Sequence, residues 1–326
     1  MGKVLEINNL KVRFHTEDGT VNALNDVCLA LEDGITVGLV GETGAGKTTL
    51  AKSIMRLIPS PPGKIEGGEI KYDGRDLLSL SDQDMMKIRG KDISMIFQDP
   101  MSSLNPVITV GDQIAEVIEV HSDLNKKEVY EKACEMLETV GISADRSFDY
   151  PHQFSGGMKQ RVVIAMALAC NPRILIADEP TTALDVTIQA QVLEMMRELK
   201  KKYSTATLLI THDLGVVAQM CEKVYIMYAG EIVESGTVHD IFNNTLHPYT
   251  EGLLGAIPKI HLQEKRLQPI EGLMPDPMAL PEGCVFCDRC KYAFERCKNE
   301  HPPIVDIGGG HAVRCFKCTD GEGGIQ

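Results

Sequence analysis

The octapeptide GETGAGKT, at residues 41–48, decides which fold this sequence predicts. It matches the pattern G-x-x-x-x-G-K-[ST], whose glycines let successive backbone N–H groups face the oxygens of a phosphate. In that pattern the lysine, here Lys47, reaches the β- and γ-phosphates of a nucleoside triphosphate, and the hydroxyl of Thr48 ligates Mg²⁺. The candidate nucleotide ligands in this loop are therefore Gly41, Glu42, Thr43, Gly44, Ala45, Gly46, Lys47, Thr48 and Thr49.

The residues on either side of the loop fit this interpretation. Residues 35–40 are apolar and predict a buried strand, and residues 49–57 predict a helix whose N-terminus faces the phosphates. The same glycines could form a weak dinucleotide-binding pattern. The Lys47-Thr48 pair makes a nucleoside triphosphate the better ligand.

Composition excludes several classes of protein. The chain has 326 residues, of which 43% are hydrophobic and 24% are charged, as in an ordinary globular protein. It contains no run of apolar residues long enough to cross a bilayer and no apolar signal region at its N-terminus, so we expect it in the cytoplasm. A net charge of -13 argues against nucleic acid as its main partner.

Two adjacent carboxylates follow the apolar stretch 174–177, which predicts a core strand. At the end of such a strand Asp178 can hold the Mg²⁺ shell, and Glu179 can polarise the attacking water. Gln98, after a second predicted strand at 93–97, can reach Mg²⁺ and the water with its amide oxygen. The alternatives are that the acids cap a turn and that Gln98 is an ordinary surface glutamine.

His212 follows a β-branched stretch at 207–210 and can donate a hydrogen bond to the γ-phosphate. A histidine in this position is also a common structural cap. Its importance therefore depends on the neighbouring motifs.

The tripeptide Ser155-Gly156-Gly157 opens a predicted helix. Small residues at a helix start expose backbone N–H groups and the positive end of the helix dipole, which together can bind an anion. The alternative is a glycine-rich helix start without a ligand. A predicted helical segment separates this site from the phosphate loop of the same chain. We therefore expect the site to face the nucleotide of a second copy or a paralogue, packed head to tail.

Together these motifs resemble the ATP-binding cassette (ABC) ATPases, over residues 4–234. The resemblance implies that ATP is sandwiched between the two subunits of a head-to-tail dimer. The signature of this chain differs from the family's commonest form at Phe154 and Met158. The further positions that it implies are Phe14 for stacking on adenine, Gln98 for the Q-loop, Ser155 to Gly157 for the signature, Ala183-Leu184-Asp185 for the dimer-contacting D-loop, and His212 for the switch histidine.

Two more stretches resemble the ATPase subunits of dipeptide and oligopeptide importers. They are residues 97–106 and residues 247–254, and the tail around Cys284 and Cys290 extends the likeness. This resemblance implies two membrane permease subunits, an extracytoplasmic substrate-binding protein, and a second ATPase, at the cytoplasmic face of the membrane. Relatives of this kind also carry nickel, oligosaccharides or antimicrobial peptides.

The implied fold is α/β, with a P-loop NTPase (RecA-like) core, an antiparallel β subdomain, an inserted α-helical subdomain and a cysteine-rich C-terminal extension. We expect the cassette at residues 1–246, its helical subdomain at about 100–170, and the extension at 247–326. Two other functions remain possible from the sequence: a soluble cassette ATPase in iron–sulfur assembly, and a non-transport cassette acting on ribosomes or DNA. A single phosphate loop and an acidic surface disfavour the second.

Six of the ten cysteines lie in the tail. By spacing, the pairs Cys287/Cys290 and Cys315/Cys318 could form a zinc site with four thiolates. Iron–sulfur clusters also take four thiolates, with more varied spacing. The importer resemblance implies instead a [4Fe–4S] cluster on Cys284, Cys290, Cys297 and Cys315, and six reduced thiols in a loose tail are the third possibility.

Overall fold

The computed structural model describes residues 2–182, 184–256 and 270–319. The strands are β1 (Lys3–Thr16), β2 (Gly19–Glu32), β3 (Thr36–Val40), β4 (Gly63–Tyr72), β5 (Arg75–Asp76), β6 (Ile93–Ile96), β7 (Ile174–Asp178), β8 (Ala206–Ile210), β9 (Lys223–Tyr228), β10 (Glu231–Thr237), β11 (Val305–Asp306) and β12 (Ala312–Val313). The helices are α1 (Lys47–Ile54), α2 (Asp82–Ile88), α3 (Pro100–Ser103), α4 (Val110–His121), α5 (Lys126–Thr139), α6 (Gly156–Leu168), α7 (Val186–Tyr203), α8 (Leu214–Met220), α9 (Val238–Asn243), α10 (Pro248–Gly255), α11 (Glu295–Asn299) and α12 (Phe316–Thr319).

One compact unit contains Ala30–Thr36 and Lys71–Ile210 together with a few N-terminal residues. Its strands β6, β7 and β8 pair in parallel, with Ile93 opposite Ile174 and Ala177 opposite Leu209. Every residue of β7 and β8 is buried, as expected for parallel strands covered on both faces. A parallel sheet is what the implied P-loop NTPase core requires.

Helices α4, α5 and α6 of this unit pack against one another, within the stretch at about 100–170 where the helical subdomain is expected. In α4, Val110, Ile114 and Ile118 are buried and lie one turn apart on one face of the helix. Helix α5 begins with a capping box, in which the side chain of Asn125 accepts from the backbone N–H of Glu128 and the Glu128 carboxylate accepts from that of Asn125. The cap of α5 and the apolar face of α4 are both local features of the sequence.

The second compact unit contains Glu6–Leu29, Val37–Ile70 and the chain from Thr211 onward. Here β3 pairs in parallel with β9, and β9 pairs antiparallel with β10. Strand β12 then pairs antiparallel with β10 and with β11, so residues near the C-terminus extend this sheet.

A buried aromatic cluster binds the C-terminal extension into this unit. Tyr228 of β9, Tyr249 of α10 and Phe286 of the extension pack with ring centroids 4.6–5.4 Å apart. All three side chains are almost fully buried. Such pairs add to the free energy of burial, so the extension is anchored by specific packing.

Among the described residues, no helix is both long and apolar enough to cross a membrane.

Candidate ATP site and cysteine cluster

The phosphate loop lies between β3 and α1, and its glycines are required by the backbone. Gly44 and Gly46 have φ angles of +88° and +106°, a region that other residues rarely adopt. A Cβ atom at Gly41 would collide with the carbonyl oxygen of Met227. A tight loop of this kind turns its N–H groups toward an anion, as the sequence predicts.

Lys47 is the first residue of α1, and its side chain is held inside the loop. Its ammonium group donates to the carbonyl oxygens of Gly41 at 2.7 Å and Glu42 at 2.9 Å, and the residue is only 7% exposed. The helix N-cap, Gly46, has no side chain to cap the first N–H groups of α1. These features fit a loop that binds the phosphates of ATP.

Two residues of the C-terminal part contact the phosphate loop and were missed by the sequence analysis. The backbone N–H of Glu42 donates to the hydroxyl of Tyr249 at 3.0 Å, and the carboxylate of Glu42 accepts from Arg289. Both residues lie in stretches that carried the importer resemblance. The resemblance marked those stretches, but no local pattern assigns them a role at the loop.

The two carboxylates lie where β7 ends. Asp178 is the last residue of β7 and is 2% exposed, and Glu179 follows it with a φ angle of +49°. The backbone N–H of Glu179 donates to the carbonyl oxygen of Ile210 at 2.8 Å. A glutamate with a left-handed backbone conformation is uncommon, and backbone strain of this kind occurs at functional sites.

The Glu179 carboxylate is oriented by two donors. Its Oε2 atom accepts from the amide nitrogen of Gln98 at 2.9 Å and from the hydroxyl of Thr182 at 3.0 Å. The structure therefore brings together Gln98 and Glu179, which are 81 residues apart. Thr182 was missed, although its place in the turn after Glu179 is a local signal.

The signature tripeptide lies at the start of α6. Ser155 is the N-cap, makes no side-chain cap hydrogen bond, and is exposed together with Gly156. Gly157 is required by packing, because a Cβ there would collide with the side chain of Ile188. The helix start thus presents a hydroxyl and small residues to the surface, as an anion site needs.

Of the predicted D-loop, Ala183 lies outside the described residues. Asp185 is exposed and is the N-cap of α7, where its carboxylate accepts from the backbone N–H of Ile188 at 3.0 Å. This cap satisfies one N–H group at the start of α7. The contact across a dimer stays a prediction.

The remaining predicted ATP-site residues are placed individually. Phe14 of β1 is partly buried beside Gly63, where an added Cβ would lie 2.9 Å from its ring. His212 is exposed between β8 and α8. Phe14, His212 and the phosphate loop belong to one compact unit, whereas Gln98, Asp178, Glu179 and the signature belong to the other.

In the extension, several thiols converge on one cavity. Besides apolar and aromatic side chains it is lined by His247, Lys317 and five cysteines, which are Cys284, Cys287, Cys290, Cys297 and Cys315. All four cysteines predicted to hold a [4Fe–4S] cluster are in this set. Cys318, needed for the alternative zinc site, is not part of the lining.

Two of the thiols around this cavity have raised pKa values. Burial raises the pKa of Cys284 to about 12 and that of Cys290 to about 11. Within the described part of the chain, no group of three or more His, Cys, Asp or Glu side chains is arranged to hold a metal ion. Thiols are the ligands that an iron–sulfur cluster or a zinc ion takes, and these thiols share one cavity. Their arrangement in the described residues is nevertheless not that of a metal site.

Comparison with known proteins agrees with the nucleotide motifs. The model of the ABC transporter family matches residues 24–182, and that of the oligopeptide/dipeptide transporter C-terminal region matches residues 233–297. Among solved structures, the ATP-binding cassette MJ0796, a dimer bound to ADP and Pi, is 27% identical with a TM-score of 0.65, covering 72% of this chain and 98% of that one. The predicted cassette fold is confirmed by this similarity.

Curated relatives cover nearly the whole chain. The oligopeptide transport ATP-binding protein AppD and the dipeptide transport ATP-binding protein DppD, both of Bacillus subtilis, are 50% identical to it over 318 residues, which is 97% of this chain and 97% and 95% of theirs. The oligopeptide transport ATP-binding protein OppD of Salmonella typhimurium is 47% identical over 96% of this chain and 93% of its own length. The chain therefore belongs to the ABC transporter family, as an ATPase with the C-terminal region of the oligopeptide/dipeptide transporters.

Proposed function

We propose that this chain is the ATP-hydrolysing subunit of an importer for oligopeptides or dipeptides, acting at the cytoplasmic face of the membrane. The observation that carries the proposal is that one chain combines the phosphate loop with the transporter-type C-terminal region at residues 233–297. Relatives named for oligopeptide and dipeptide transport match over nearly its full length. These comparisons favour peptide import over a cassette for iron–sulfur assembly, or for nickel or oligosaccharides.

In this function, the phosphate loop binds the triphosphate of ATP. Lys47 already donates two hydrogen bonds within the loop, so its ammonium group is positioned where β- and γ-phosphate oxygens would accept from it. Thr48 would supply a hydroxyl ligand to Mg²⁺. Phe14 would stack on adenine.

Glu179 would polarise the water that attacks the γ-phosphate, with Asp178 as a ligand in the Mg²⁺ shell. The hydrogen bonds from Gln98 and Thr182 hold the Glu179 carboxylate in one orientation. A base that is already oriented loses little entropy on reaching its reactive position. His212 would donate to the γ-phosphate.

The signature would bind the nucleotide of a second ATPase, either another copy or a paralogue, in a head-to-tail dimer. Support comes from the exposed Ser155 and Gly156 at the N-terminus of α6. Asp185 would lie at the dimer contact. Opening and closing of this dimer would drive two permease subunits, which receive substrate from an extracytoplasmic binding protein.

In the extension, Cys284, Cys290, Cys297 and Cys315 would hold a [4Fe–4S] cluster, with zinc as the alternative. The support is that these four thiols line one cavity with an apolar wall. Such a centre would stabilise the fold of the extension, because ligation by four thiolates contributes folding free energy. Iron and acid-labile sulfide in anaerobically purified protein would favour the cluster, whereas zinc alone would contradict it.

Transport itself is testable with permease partners. The chain should co-purify with two membrane permeases, and proteoliposomes holding this complex should accumulate a labelled peptide only with ATP and the binding protein. The matched control carries Glu179→Gln in the same complex and should not accumulate peptide. Uptake of nickel or an oligosaccharide in place of peptides would contradict the proposed substrate class.

A further inference from the structure

The phosphate loop contains an acidic residue, Glu42, whose carboxylate cannot donate a hydrogen bond to a phosphate. A carboxylate beside a triphosphate repels it, so an acid in this loop weakens ATP binding unless it is neutralised. Glu42 keeps 33% of its side-chain surface exposed. A nearby cationic group is therefore needed to neutralise the Glu42 carboxylate.

That group is Arg289 of the C-terminal extension, 247 residues further along the chain. Its Nη1 atom donates to both carboxylate oxygens of Glu42, at 3.1 and 3.0 Å. The arginine side chain is only 6% exposed, so the pair is poorly screened by solvent. Removing one partner of such a pair leaves a charge without compensation.

The extension holds Arg289 in this position through several independent contacts. Its Nε atom donates to the carbonyl oxygen of Glu271 at 3.0 Å, and Nη1 also donates to the hydroxyl of Tyr228 at 3.3 Å. Its guanidinium carbon lies 6.0 Å from the centroid of Phe286. The arginine is thus fixed before any ligand arrives.

We propose that Arg289 is a positioning residue for ATP binding. It neutralises Glu42 and holds the beginning of the phosphate loop, at residues 41 and 42, in the conformation that binds ATP. The inference rests on the proposed role of the phosphate loop. It gives the C-terminal extension a direct part in nucleotide affinity. The loop is held from the same side by the hydroxyl of Tyr249, which accepts from the Glu42 N–H.

The test compares equilibrium binding of Mg²⁺-ATP to the full chain and its variants. Arg289→Met should raise the Kd for ATP about tenfold, the scale of one lost charge-assisted hydrogen bond. Arg289→Lys should recover part of the loss. Glu42→Gln removes the charge that Arg289 neutralises, so the double variant Glu42→Gln with Arg289→Met should bind ATP within about threefold of Glu42→Gln alone.

Arg314 provides a matched control. It is another mostly buried arginine of the extension, with 13% of its side-chain surface exposed, and its ion pair is with Glu231 of β10. Arg314→Met should lower thermal stability as Arg289→Met does, but leave the Kd for ATP unchanged. A purely structural role for Arg289 would make the two variants equal in both measurements and would overturn the inference.

Further outcomes separate this inference from the assignment of the loop. If Lys47→Ala weakens ATP binding but Arg289→Met does not, the inference alone is wrong. If Lys47→Ala also leaves the Kd unchanged, the assignment of the phosphate loop fails. Should Arg289→Met not fold, the double variant decides, because a Kd more than about threefold above that of Glu42→Gln alone would contradict charge neutralisation.

Discussion

Substitution of Glu179 by glutamine tests the proposed hydrolysis directly. The side chain keeps its shape, and the glutamine oxygen can still accept from Gln98 and Thr182, which now lie 2.9 and 3.0 Å from Oε2. Each of these hydrogen bonds loses charge assistance, a change of about 1 kcal/mol or less at a half-buried site. The variant should therefore fold and bind ATP.

Its chemistry should fail, because an amide cannot accept the proton of the attacking water. A positioned general base contributes about 10²–10⁴-fold, which corresponds to about 3–5 kcal/mol of activation free energy. Phosphate release at saturating Mg²⁺-ATP should fall at least about a hundredfold, while the Kd for ATP stays near that of the wild-type chain. Hydrolysis at the wild-type rate would refute the assignment of Glu179.

Three further predictions concern separate parts of the proposed function. Lys47→Ala should weaken ATP binding, because it removes a charge that pairs with the phosphates; an unchanged Kd in equilibrium titration would contradict this. Ser155→Arg should abolish ATPase activity while the isolated monomer keeps its ATP affinity, since the signature acts on the partner's nucleotide; a large loss of affinity in the monomer would show that the site works in cis. Anaerobic protein should be brown with absorbance near roughly 400 nm, and Cys290→Ser should lose this colour whereas Cys318→Ser, outside the cavity, should keep it; colourless protein with one zinc per chain would exclude the cluster.

The sequence by itself determined the local parts of the ATP site. The proposed roles of the glycines at 44 and 46, of Lys47 and of the two acids at the end of β7 depend on backbone shape or side-chain chemistry within a few residues, so their spacing is sufficient to predict them. The buried strands β3, β6 and β7 were predictable for the same reason, because each is a short apolar run. Local patterns also sufficed to indicate the family.

Only the tertiary structure decided which distant residues meet. The pairing of Glu42 with Arg289 spans 247 residues, and that of Gln98 with Glu179 spans 81. Buried Glu234 similarly accepts from His311, 77 residues away. Periodicity in the sequence cannot predict such contacts, because they depend on how strands and helices pack. They also depend on which charged groups become buried and therefore need a partner of opposite charge.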